Sequence, residues 1–266
     1  MEDTRRFVMG DIHGANLALV QCLERAHFNF QKDELIQLGD IVDGWNEVYE
    51  CVETLMKIKN LKKVKGNHDE WLKSFINNGK HSVDWMHGGE GTLQSYIKNC
   101  VIGRYMTGSD KGGYETNLLP SDIPQSHIDF FNSQLNYIID KDNNFFVHGG
   151  FNRHYHVTDP IFNKESLFYW DRDFWAAAMS WGCVSDNTTF EKPKMRIKDN
   201  FKEIFLGHTT TMNWDENSVM HRANVWNMDT GAGFNGRLSI MNIDTKEIFY
   251  SDPVQDLYNS VGRNHK

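Results

Sequence analysis

Six side chains of this 266-residue chain have the types and placement to hold divalent cations: Asp11, His13, Asp40, Asn67, His148 and His208. Asp11 and His13 lie two apart after the apolar run Val8-Met9. On extended backbone residues i and i+2 point the same way, so both side chains reach one ion from a strand end. Gly10 and Gly14 flank them, where a sharp turn or a close ligand leaves no room for Cβ. Of the other four, those in Gly39-Asp40, His148-Gly149-Gly150 and Gly207-His208-Thr209 follow apolar runs in the same manner, and Gly66-Asn67 follows Leu61 to Lys65, where apolar and basic residues alternate. Oxygen and imidazole donors without a thiolate suit Mn²⁺, Fe²⁺ or Zn²⁺. Six candidates exceed what one open catalytic ion needs, and a carboxylate bridges two ions, so two metals are the economical reading.

The elements that would position them alternate strand and helix. Phe7 to Met9 is expected as a strand and Asn16 to Ala26 as a helix with Leu17, Val20 and Leu23 on one face. Leu35 to Leu38 and Leu61 to Lys65 repeat the strand pattern, with helical spacing from Val48 to Lys59 between them. Repeated βα units imply parallel strands in one sheet, whose ligands sit beyond the strand C-terminal ends. Phe145 to Val147 and Ile204 to Leu206 are further buried strands. Val225 to Asp229, Leu238 to Ile243 and Ile248 to Ser251 read as strands joined by short turns, with Asn235-Gly236 as a hairpin signal and a second, antiparallel sheet as their place. The stretch 71–131 is irregular and mainly helical, an insertion over the site within one domain spanning 1–266.

Bulk properties narrow the class. With 39% hydrophobic and 24% charged residues and only 5 prolines, the chain has the composition of a folded protein. A formal charge of −8 and no basic run argue against nucleic acid. No apolar stretch reaches the 18 residues of a membrane span, so no membrane partner and a cytoplasmic location are expected. Cys22, Cys51, Cys100 and Cys183 form no CxxC pair and are expected as buried thiols.

The ordered set Gly10-Asp11-Ile12-His13-Gly14, Gly39-Asp40-Ile41-Val42-Asp43-Gly44, Gly66-Asn67-His68-Asp69, His148-Gly149-Gly150 and Gly207-His208-Thr209 resembles the calcineurin-like metallophosphoesterases, specifically the bacterial and phage branch of the serine/threonine phosphoprotein phosphatases. The resemblance implies an α/β fold of four αββα layers, two mixed sheets flanked by helices, with the dimetal site at strand C-terminal ends. It implies that Asp11 and His13 hold one metal, Asp40 bridges, and Asn67, His148 and His208 hold the other, Mn²⁺ being the first choice with Fe or Zn as alternatives. A dimetal-bound hydroxide would then attack phosphorus in line, with no phosphoenzyme. His68 would protonate the leaving oxygen and Asp43 would orient it.

One departure from the family pattern concerns substrate phosphate. An Arg usually follows the second Asp of this motif, whereas Gly44 and Trp45 follow Asp43. Arg172 in Tyr169-Trp170-Asp171-Arg172, or Arg153, is expected to grip the phosphate together with Asn67, and Trp45 to line the pocket mouth. The expected substrates are phosphoproteins or small phosphoesters. Hydrolysis of diadenosine tetraphosphate or other dinucleoside polyphosphates is the alternative, although that branch tends to carry Gln where His13 stands. A non-catalytic phosphate-binding module is the third reading.

Overall fold

The computed structural model describes residues 4–79, 83–100, 102–108, 114–182 and 195–258. Its element order begins β1 (Arg6–Met9), α1 (Asn16–Arg25), β2 (Glu34–Gln37), α2 (Val48–Met56), β3 (Asn60–Lys63) and α3 (Asn67–Asn78). Then come α4 (Gly89–Cys100), the small hairpin β4 (Met106–Gly108) and β5 (Tyr114–Thr116), α5 (Gln125–Asn132), β6 (Tyr137–Ile139) and β7 (Phe145–Val147). The remainder is α6 (Leu167–Trp170), α7 (Asp173–Gly182), β8 (Ile204–Leu206), β9 (Met220–Arg222), β10 (Val225–Asn227), β11 (Ser239–Asn242), β12 (Ile248–Tyr250) and α8 (Val254–Leu257).

Two mixed five-stranded sheets carry the core, in the orders β12-β11-β1-β2-β3 and β6-β7-β8-β10-β9. The side-chain period of two explains how they stack. Val8, Ile36, Phe146, Phe205 and Met241 meet between the sheets. Their neighbours Phe7, Met9, Leu35 and Ile240 point to the opposite face, against Leu19, Leu23, Val52 and Leu55 of α1 and α2. Phe145, Val147, Ile204 and Leu206 point away from the first sheet, against Phe174, Trp175 and Ala178 of α7. Helix, sheet, sheet, helix is the resulting order, as the resemblance implies.

β1, β2 and β3 are parallel, and β7, β8 and β10 are parallel in the second sheet. All therefore end on one side, which brings loops far apart in sequence to one place.

The C-terminal strands differ from expectation. They do not form an antiparallel sheet of their own: β10 joins β8 in parallel, while β11 and β12 cross over to extend the first sheet beside β1. Asn235-Gly236 lies in a turn between strands of different sheets, closed by Gly236 N–H donating to Gly231 O at 3.0 Å, and is not a hairpin. Burial decides both points. Leu238 and Ile240 belong to the core under α1, whereas Val225 belongs to the core under α7.

Within 71–131, α4 packs on α2, and α5 packs on α3. Cys22, Cys51 and Cys100 are free thiols, with Cys22 and Cys51 buried; Cys183 lies outside the described residues. Among the described residues no helix is long and apolar enough to cross a membrane.

Candidate metal centre

Strand ends deliver the site. Asp11 and His13 follow β1, Asp40 follows β2, Asn67 opens α3 after β3, His148 follows β7 and His208 follows β8. Each is nearly inaccessible, from 0% exposed at His148 to 7% at His208. His13, Asp40 and His208 have φ of 52°, 52° and 67°, in the left-handed region that non-glycine residues seldom occupy, and Asp43 has 66°. Such strain persists only where surrounding structure over-determines it, and it clusters at functional sites.

Asp40 stands between two groups whose ligand atoms lie within 4.8 Å of one another, His13-Asp40-His68 and Asp40-His148-His208. Asp40 Oδ2 is 3.3 Å from His148 Nε2, 3.7 Å from His13 Nε2 and 4.0 Å from His68 Nε2. Asn67 Oδ1 lies 3.2 Å from His148 Nε2. The ring nitrogens facing away are tied to carbonyls, which accept only. His13 Nδ1 donates to Asp43 O at 2.8 Å, His148 Nδ1 to Leu38 O at 2.7 Å, and His208 Nε2 to Trp170 O at 3.3 Å. In its neutral, metal-ligating form each ring thereby turns its other nitrogen, as an acceptor, towards the centre.

Burial would raise the Asp40 carboxyl, but the surrounding His148, His68 and His13 outweigh it and hold Asp40 well below the usual range. Burial opposes charge on His148, yet Asp40 and Asp11 lift it to about 9. Burial, reinforced by His148 and Arg172, depresses His208 well below the ordinary imidazole value. Asp11 is pushed well above the carboxylate range, first by burial and then by Asp229 and Asp40. Its Oδ2 accepts from His208 N–H at 3.0 Å, while its buried Oδ1 has no hydrogen-bond partner. Leaving such an oxygen unmatched costs free energy of about 1–3 kcal/mol. A cation beside it removes that cost, so the residues present fit divalent metal.

The backbone makes room for these carboxylates. A Cβ at Gly66 would stand 2.0 Å from Asp40 Oδ1, and one at Gly207 2.0 Å from Asp11 Oδ1.

His68 Nδ1 donates to Asp43 Oδ2 at 2.8 Å, leaving Nε2 directed at the cluster. Asp43 is fully buried, and its Oδ1 accepts from Trp85 Nε1 at 2.8 Å and Thr92 Oγ1 at 2.6 Å. Arg172 lines a cavity of about 240 Å³ with His13, Asp40, His68, His208, Thr210, Asn213, Asp229 and Phe234. Its guanidinium donates to His208 O at 2.8 Å and Thr209 Oγ1 at 3.0 Å. Arg153 is not brought there; its guanidinium donates to Arg196 O at 3.3 Å. Trp45 does not line the mouth. It is 2% exposed, donates from Nε1 to Ala232 O at 2.8 Å and stacks on Tyr258.

Several contributors escaped the sequence reading. Trp85 and Thr92 come from the 71–131 stretch and have no periodic signal connecting them to Asp43. Asp69 accepts from the backbone N–H of Asp40 and Gly66 at 3.0 Å and of Ile41 at 2.9 Å, clamping the β2 loop to the start of α3. Burial, with Asp40 adding to it, raises its carboxyl to about 6. Asp229 did carry a signal, since like the ligands it directly follows a buried strand run.

The profile of the calcineurin-like phosphoesterase family matches residues 4–212. The chain is 29% identical over 84 residues to serine/threonine-protein phosphatase 1 of Salmonella typhimurium, covering 32% of this chain and 38% of that one. It is 38% identical over 64 residues to the symmetrical bis(5'-nucleosyl)-tetraphosphatase of Haemophilus ducreyi, 24% of each chain. These matches thus span well under half the length of either curated relative. A crystal structure provisionally named a diadenosine tetraphosphatase superposes with a TM-score of 0.59 at 15% identity, covering 97% of this chain and 96% of the other.

Proposed function

The chain belongs to the calcineurin-like phosphoesterase family, and from that premise we propose that it is a metal-dependent phosphomonoester hydrolase acting on phosphoserine and phosphothreonine in proteins. The observation that carries this reading is the buried His68-Asp43 pair at 2.8 Å, with His68 Nε2 directed at the Asp40-centred cluster. Asp11, His13 and Asp40 would hold one divalent ion and Asp40, Asn67, His148 and His208 another, with Mn²⁺ as first choice and Fe or Zn as alternatives. When bound, such ions supply Lewis acidity and a nucleophile at neutral pH.

The chain's own residues do the rest. Arg172, lining the cavity, offers N–H donors to phosphate oxygens. As the P–O bond breaks, its electron pair goes to the leaving oxygen, and His68 Nε2 gives that oxygen a proton. Asp43 holds the ring in the donating tautomer and stabilises its charged form; Trp85 and Thr92 keep Asp43 in place by occupying its second oxygen. Alkoxides of serine and threonine are poor leaving groups, so proton donation matters most for them.

A second reading, hydrolysis of dinucleoside polyphosphates, is favoured by the match to the Haemophilus ducreyi tetraphosphatase. Phosphorus NMR of the Mn²⁺-loaded protein, given a phosphoserine peptide and diadenosine tetraphosphate together, separates the two. Inorganic phosphate from the peptide, slowed about 10²–10⁴-fold in His68→Asn, is the expected result. Release of ADP with the peptide untouched would replace the first reading by the second.

A further inference from the structure

The loop that departs from the family pattern after Asp43 is pinned by a residue more than two hundred positions away. Tyr258, directly after α8, stacks its ring on the Trp45 indole with centroids 4.6 Å apart. Its hydroxyl accepts from Leu17 N–H, in the first turn of α1, at 2.9 Å and donates to Glu47 Oε2, just before α2, at 2.6 Å. Burial, and then the bond to Glu47, raises the phenol well above its ordinary value, so it keeps its proton at neutral pH. One partly buried side chain thus fastens the segment that follows Asp11 and His13 to the segment that follows Asp40 and Asp43.

Trp45 passes that restraint to His13. Its N–H donates to His13 O at 2.9 Å, and its own carbonyl oxygen comes so close to Gly14 that a Cβ there would stand 2.2 Å from it. The indole N–H holds Ala232 O, and a Cβ on the next residue, Gly233, would stand 2.5 Å from His13 Cδ2. Val42 O and Asp43 O, in the same loop as Trp45, face His13 Nδ1 at 3.0 and 2.8 Å. His13 sits at a φ of 52°, a strain that persists only where neighbours impose it. The other two histidines are tied elsewhere, His148 Nδ1 to Leu38 O and His208 Nε2 to Trp170 O. The backbone N–H groups of Asp40 and Ile41 have a separate restraint in Asp69.

We propose that Tyr258 is a positioning residue for one of the two ions: acting through Trp45 on His13, it sets the affinity at Asp11, His13 and Asp40 and leaves the site of Asn67, His148 and His208 nearly untouched. The inference rests on the two-ion reading above and adds to it a residue that meets no ligand atom. Partners that orient a metal-bound imidazole typically change metal affinity 10–100-fold when removed. Tyr258 stands one contact farther out, so its effect belongs at the lower end of that range.

The test is a calorimetric titration of the metal-stripped full chain with Mn²⁺, comparing wild type, Tyr258→Ala, Tyr258→Phe and Val254→Ala. His13→Ala and His208→Ala, each lacking one ligand, identify which binding step belongs to which ion. Val254, fully buried on α8, serves as the packing control. Tyr258→Ala is expected to weaken the His13 step about tenfold and to leave the His208 step at its wild-type Kd. Tyr258→Phe keeps the stack and loses both hydrogen bonds, so it should weaken the His13 step only about threefold, and it carries the test if Tyr258→Ala does not fold. Val254→Ala should melt below wild type with both Mn²⁺ steps unchanged. Equal weakening of both steps in the Tyr258 variants, the same weakening in Val254→Ala, or two unchanged steps in Tyr258→Ala and Tyr258→Phe overturns the positioning role alone. Fewer than two Mn²⁺ bound by wild type removes the two-ion reading and this proposal with it.

Discussion

Gly44, where the family pattern usually has Arg, has φ of 122°, a conformation that L side chains rarely adopt. Its N–H donates to Gly88 O at 2.9 Å, and a Cβ at Gly91 would stand 2.3 Å from Gly44 O. The turn at 88–91 closes directly on this backbone, so the missing guanidinium reflects a different loop and not a single exchanged side chain. Gly44→Arg is therefore expected to destabilise the fold by roughly 1–3 kcal/mol without adding a phosphate clamp. In a thermal melt that is a fall of about 2–4 °C for each kcal/mol. A melt unchanged from wild type together with a lower KM for phosphoester would show that the loop accepts Arg.

At the scale of elements, the cavity depends on how α3 and the segment leading into α6 are tied together. Lys65, just before α3, has a side chain only 5% exposed. Its ammonium is 2.9 Å from Glu70 of α3, 2.6 Å from Glu165, and 4.6 Å from the centroid of the Tyr169 ring. Those contacts join the helix that presents His68 to the segment that presents Trp170 and Arg172. Glu70 and Glu165 are themselves partly solvated, so the tether is worth less than a buried charged hydrogen bond. Lys65→Met is expected to cost about 1 kcal/mol of local stability, read as roughly fivefold faster amide exchange at 167–172. KM should rise more than kcat falls. Exchange confined to wild-type rates would mean that packing of Phe168 and Tyr169, both buried, suffices to hold the segment.

Across the whole molecule, the two sheets are also joined at the end opposite the metal centre. Arg6, at the start of β1, pairs with Asp140 at 3.1 Å after β6, with Asp142 at 2.6 Å, and with Asp244 between β11 and β12. The hydrogen bond from Arg6 lowers the Asp244 carboxyl below its ordinary value. A carboxylate whose folded pKa is depressed stabilises fully above its unfolded pKa of about 3.9, and that contribution is lost as pH falls through the folded pKa. Arg6→Ala should therefore melt below wild type at neutral pH, with the gap narrowing only below about pH 4. Asp244 is half exposed, and its share of the gap is under about 1 kcal/mol. A gap that stays constant down to pH 3 would assign the effect to packing of the Arg6 stem.

What the sequence determined by itself was the set of strand-end donors and the family that orders them. Asp11, His13, Asp40, Asn67, His148 and His208 are legible because each follows a strand and has glycine or a small residue beside it, signals carried within a few residues. Parallel βα units then require those ends to lie on one side of a sheet. Tertiary structure alone decided which remote groups complete the site. Trp85 and Thr92 reach Asp43 across 42 and 49 residues, and Asp69 caps the backbone of Asp40. Those contacts satisfy buried polar groups through chance proximity of distant loops, which no local pattern encodes. The same holds for β10, β11 and Trp45. Each reads locally as a strand or a loop aromatic, and competition between two cores for apolar surface decided where it went.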